Sequence, residues 1–104
     1  KEQERICREL GNVDGLQASL GNQALILKAR GDLDGAMKLH KEKERICREL
    51  GKVESLAISL ANQSLILNQQ GKTLEADVMI HEAYDLASGH GYETLALQIK
   101  GLMN

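Results

Sequence analysis

The chain has 104 residues, enough for one domain with a continuous core. Only 2% of it is aromatic, proline is absent, and 27% is charged, so a β-sandwich or barrel rich in aromatics and turn prolines is excluded in favour of helices. A formal charge of −2 and two tyrosines with no other aromatic residue argue against a nucleic-acid surface.

The first predicted helix covers 1–10, where Ile6, Cys7 and Leu10 form an apolar edge. The second covers 13–30, with Leu16, Leu20, Ala24 and Leu27 on one stripe. A third, over 33–50, places Leu33, Ala36, His40, Ile46, Cys47 and Leu50 on an apolar face. The fourth, over 53–70, repeats the stripe of the second as Leu56, Leu60, Ser64 and Leu67. Helices over 73–88 and 92–102 complete the chain, the last carrying Leu95, Ile99 and Leu102. Gly11, Gly31, Gly51, Gly71 and Gly91 punctuate these segments every 20 residues, as left-handed helix stops would. Turns this short make consecutive helices antiparallel neighbours.

A longer period contains the shorter one. Residues 1–40 match residues 41–80 at 21 of 40 positions, and the blocks KEQERICREL and KEKERICREL agree at 9 of 10. A tandem repeat near 40 residues predicts a solenoid, in which each unit hides its apolar face against the next. The expected architecture is all-α, a right-handed stack of helical hairpins with about two and a half repeats and six helices. Its divisions are 1–10 as the second helix of a truncated repeat, 11–50 and 51–90 as repeats, and 91–104 as a closing helix.

These residues resemble the tetratricopeptide repeat family in its longer, roughly 40-residue form, as carried by kinesin light chains and bacterial multidomain proteins. The family's first helix resembles Asn-Leu-Gly-x-x-Tyr, and Asn22-Gln23-Ala24-Leu25-Ile26-Leu27 and Asn62-Gln63-Ser64-Leu65-Ile66-Leu67 occupy that place. Gly31-Asp32 with Ala36 and His40, then Gly71-Lys72 with Ala76, Ile80 and Ala83, occupy the place of the second-helix pattern. The sequence departs from the family where Leu, Ile or His replaces its aromatics, and where Lys43 replaces a small residue at the helix seam.

The resemblance implies a protein-interaction scaffold whose first helices line a concave groove for a peptide or helix of a partner. Carried over, the groove residues are Asn22, Leu25, Lys28, Ile58, Asn62, Leu65, Asn68 and Gln69, with Ala18, Gly21, Ala29 and Ala61 between them. The asparagine amides offer a donor and an acceptor to a ligand's main chain, or else tie one helix to the next. Leu25 and Leu65 are contacts or core. With Lys28 the only cation on this face, the groove suits an apolar extended segment or an amphipathic helix better than an anionic one.

The remaining features read as structural. Glu4 and Arg8, like Glu44 and Arg48, stand four apart with the acid first, the favourable order on a solvated helix face. Lys43 is expected to lay its stem along the seam with the ammonium in water. Cys7 and Cys47 are one repeat apart, too far for a disulfide, and read as small core residues. His81-Glu82 opens like a zinc-protease signature, but Asp85 stands where the second histidine belongs. The expectation is therefore no enzyme, no cofactor and no metal. The expected partner is a protein or peptide, with neither nucleic acid nor membrane, in a cytoplasmic setting. The competing expectation is a structural or self-associating spacer, or a regulatory segment of a larger signalling protein, pairing between copies through exposed terminal repeats.

Overall fold

The computed structural model describes the backbone of residues 13–103 and the side chains of residues 19–103. The expected helix over 1–10, with Cys7 and the Glu4 and Arg8 pair, lies outside the described residues. Those described form five α-helices and no strand: α1 (Val13–Ala29), α2 (Leu33–Leu50), α3 (Val53–Gln69), α4 (Thr73–Gly89) and α5 (Glu93–Leu102). Each agrees with its predicted span to within a residue at either end. No helix among them is long and apolar enough to cross a membrane.

The turns are built alike. Gly31, Gly51, Gly71 and Gly91 all adopt positive φ, between 69° and 84°, where a side chain would be strained. The residue after each glycine donates its N–H to a carbonyl five residues back: Asp32 to Leu27, Lys52 to Cys47, Lys72 to Leu67 and Tyr92 to Ala87, at 2.8–3.0 Å. That bond satisfies a carbonyl the ended helix would otherwise orphan. Asp32 also caps α2, its Oδ1 accepting from the Gly35 N–H at 2.9 Å. Lys52, Lys72 and Tyr92 stand in the same place with no side-chain cap.

The chain reverses at every turn. Leu20 near the middle of α1 packs with Ile46 late in α2, while Ala24 lies with Ala36 and Met37 early in α2. In the same sense, Leu67 late in α3 is grouped with Ala76 early in α4, and Ala57 and Leu60 with Ile80, Ala83 and Ala87. The larger apolar cluster runs through α2, α3, α4 and α5, from Cys47 to Ile99, so α3 is covered on several sides. Ser59, Gln63 and Ser64 are buried with it. Ser59 Oγ donates to the His40 carbonyl on α2 at 3.0 Å and Ser64 Oγ to the Ala61 carbonyl at 2.7 Å, while Gln63 Oε1 has no hydrogen-bond partner.

Polar links run alongside the apolar ones. Arg48 on α2 bridges Glu44 on its own helix and Glu82 on α4, both at 2.9 Å. Gln63 on α3 donates to Glu44 at 2.9 Å, and Gln70 to Asp34 at 3.0 Å. The i,i+4 pair expected of Glu44 and Arg48 is thus part of a network spanning three helices.

Two leucines assigned to apolar faces are instead largely in solvent. Leu50 is 43% exposed because it is the last residue of α2, directly before the Gly51 turn. Leu102 is 46% exposed at the end of α5, where no further helical turn covers it.

The seam between α1 and α2 has no spare room. Ala24 and Ala36 are both fully buried, and side chains this small let helix axes approach to the short end of the usual 8–10 Å range. Ala36→Leu is expected to overpack it and cost about 1–3 kcal/mol. A lower urea midpoint at unchanged slope is the expected readout; an unchanged midpoint would show that the seam yields.

Candidate functional site

Helices α1 and α3 carry the sequence-derived groove residues. Between α3 and α5 lies an open groove of about 280 Å³, lined by Ile58, Ala61 and Asn62 on one side and Leu95, Gln98, Ile99 and Leu102 on the other. Ile58 and Leu102, 37% and 46% exposed, offer the apolar contact. Asn62 and Gln98 supply amides. The side-chain amides of Asn22 and Asn62 form no hydrogen bond among the described residues.

The other sequence-derived residues are distributed more widely. Leu25 on α1 is 52% exposed, hence surface and not core, with Asn22 exposed one turn before it and Lys28 half-buried one turn after it. Leu65 is half-buried and does not line the groove. Asn68 is exposed and lines an adjoining cavity of about 340 Å³ that shares Leu102 with the groove and includes Ser64, Thr73, Leu74, Asp77 and Met103. Gln69 is exposed and lines neither. The structure thus brings Ile58 and Asn62 together, places Asn68 in the cavity beside them and leaves Gln69 outside both.

The sequence reading missed the α5 wall, treating that helix only as a lid. The available signal was the repeat itself: Gln98 and Leu102 stand 40 residues after Ile58 and Asn62.

The seam between α1 and α2 carries an unusual set of charges. His40 is 1% exposed, and neither of its ring nitrogens has a hydrogen-bond partner. Burial, with the ammonium groups of Lys43 and Lys28 adding to it, lowers its pKa to about 4. Lys43 lies across α1 at Gly21, where a β-carbon would stand 3.2 Å from its Nζ and 3.7 Å from its Cδ. The stem therefore follows the seam, as expected, but the ammonium is held against α1.

Elsewhere the titratable groups have ordinary structural roles. Cys47 is a buried thiol whose pKa is raised by burial, against the opposing pull of Lys43. The hydrogen bond to Glu82 leads the causes that raise Arg48. His81 Nδ1 lies 2.8 Å from the Asp77 carbonyl one turn back, at the surface. Among the described residues, no three His, Cys, Asp or Glu side chains gather as a metal site would require.

No protein-family model, curated protein or solved structure matches this chain.

Proposed function

We propose that the chain is a protein-interaction module of the tetratricopeptide kind, its hairpins stacked as a right-handed solenoid and its inner face holding a segment of a partner. The observation that supports this best is the groove between α3 and α5, where exposed Ile58 and Leu102 lie beside the amides of Asn62 and Gln98. Apolar contact would supply affinity, and the amides would fix the register of a main chain. No reaction is assigned to it. A groove this short suits a micromolar partner, about −8 kcal/mol.

The test is selection from a randomised peptide display library, followed by Leu25→Glu with Ile58→Glu. Both side chains are at least a third exposed, so the helical circular-dichroism signal is expected to persist while binding of the selected peptides is lost. Binding that survives both charges would remove the groove from consideration.

Self-association is the second reading, and specific residues favour it. Leu74 and Val78 on α4 are 84% and 69% exposed, although their repeat counterparts are the charged Asp34 and Lys38. Leu97 on α5 is 70% exposed beside Tyr84 and Ala96. Sedimentation over a range of concentrations separates the readings: a tight dimer favours pairing between copies, a monomer the groove.

A further inference from the structure

Helices α3 and α5 are repeat counterparts with different neighbours. Ala57, Leu60 and Ala61 on α3 are buried, in a cluster that includes Ile80, Ala83 and Ala87 of the following helix α4. Their counterparts 40 residues on are Leu97, Lys100 and Gly101. All three are exposed, Leu97 at 70%, and a β-carbon added to Gly101 meets only open space. Ala96 and Ile99, by contrast, are buried in the cluster shared with α3 and α4. The open side of α5 is thus the side that a following helix covers in the repeat before it. At its edge, Tyr84, Ser88, Glu93, Ala96 and Leu97 line an open cavity of about 360 Å³. A helix that closes a stack carries a polar outer face, whereas Leu97 is a larger apolar side chain than the alanine it replaces.

The chain itself contains a segment suited to cover it. Residues 1–10 match residues 41–50 at 9 of 10 positions, and residues 41–50 lie between two helices. Ile46 packs with Leu20 of α1, and Cys47 belongs to the cluster with Leu56 and Ala57 of α3. Ile6 and Cys7 repeat both residues, so segment 1–10 has the sequence of a helix flanked on two sides. Within one chain α1 stands to it as α3 stands to residues 41–50; the open side of α5 supplies the second flank from another chain. Side-chain sizes agree with this. In the first repeat Gly21 meets the long Lys43, whose Nζ would lie 3.2 Å from an added β-carbon, and in the second Ala61 shares a cluster with Ala83. The third combination is Gly101 with Gln3, again a missing β-carbon opposite a long side chain. The ion pair of Arg48 and Glu82, which joins α2 to α4, is matched by Ser88 and Glu2, a hydroxyl donor and a carboxylate. Lys100 stands where Leu60 is buried, so its stem covers Ile6 with the ammonium kept in water, and the junction is weaker than the seam it copies.

We propose that a second copy of this chain docks its residues 1–10 on the open side of α5, continuing the stack head to tail. The proposal rests on the self-association reading above and assigns it a surface that leaves Leu74 and Val78 unused. Such a contact joins different faces of the two copies, so each copy in an assembly still offers one free end and the assembly is open-ended.

The experiment is sedimentation of the whole chain under reducing conditions over a wide range of concentration, for the parent and for variants of either end. The parent is expected to grow in mass past the dimer as concentration rises. Leu97→Arg alters an exposed side chain on α5, and Ile6→Glu alters the segment that docks; each alone is expected to remain monomeric with its helical circular-dichroism signal retained. Gly101→Leu fills only open space in its own chain and is expected to behave as Leu97→Arg does. An equimolar mixture of Leu97→Arg and Ile6→Glu is expected to form a dimer and stop there, because one variant keeps an intact head and the other an intact tail. Formation of that dimer also shows that both variants are folded at the ends that meet. A mixture that stays monomeric, or single variants that associate as the parent does, would overturn the junction; the second result leaves self-association standing on another surface. A parent that is monomeric at every concentration overturns both.

Discussion

Leu60→Ala is expected to lower the free energy of unfolding by about 2–5 kcal/mol, a large share of what a domain of this size possesses. Leu60 is fully buried in the cluster that joins α2, α3, α4 and α5. Removing its three outer carbons loses their transfer free energy and leaves a void. The surrounding cluster, in which Ala57, Ala61, Ala83 and Ala87 lie among the longer Leu56, Ile80 and Ile99, relaxes only partly into such a void. Leu20, its repeat counterpart, is equally buried and packs with Ile46 and Leu39, so Leu20→Ala is expected to cost an amount in the same range. Urea denaturation of each variant measures the loss. A cost below about 1 kcal/mol would mean that the surroundings collapse into the gap.

The 40-residue repeat largely decides how much was legible in the sequence. The helices were, because glycine every 20 residues and a 40-residue echo fix where each begins and ends with little help from tertiary contacts. So was the stripe of Leu56, Leu60, Ser64 and Leu67, all buried as its spacing implies. The partial failures lie at helix ends. Leu50 and Leu102 share a face with buried residues, yet burial there depends on what lies beyond the turn, which periodicity does not encode. The groove between α3 and α5 contains the expected positions Ile58 and Asn62, but its second wall comes from a neighbouring element that repeat superposition alone does not bring in. Leu95 and Gln98 come from α5, and the Lys43 side chain lies over position 21, where a β-carbon would stand 3.2 Å from its Nζ. Such compensation between a small residue and a long one joins positions 22 apart in sequence. It becomes visible only when the seam is assembled.

His40 gives the seam between α1 and α2 an acid sensitivity that the equivalent α3 and α4 seam lacks. In the unfolded chain its imidazole titrates near 6.5; in the folded chain burial and the two lysines hold it at about 4. On acidification the unfolded chain therefore takes up the proton first. Above pH 6.5 both states are neutral there and the site contributes its full stability; as pH falls from 6.5 toward 4 that stability is progressively lost, and below 4 no more is lost. A span of this size corresponds to about 3 kcal/mol. Carboxylates titrate in the lower part of the same window, so the clean measurement is a difference between two proteins. His40→Ile supplies the comparison, because Ile80 occupies the equivalent position and is 4% exposed. The variant also removes two buried nitrogens that have no hydrogen-bond partner, so it is expected to be no less stable than the parent at pH 7. Its advantage should be constant above pH 7 and should widen steadily toward pH 4.5 in urea titrations at fixed salt. A gap that stays the same from pH 7 to pH 4.5 would mean that the imidazole takes up its proton as easily in the folded chain as in the unfolded one, and that the ring is reached by water.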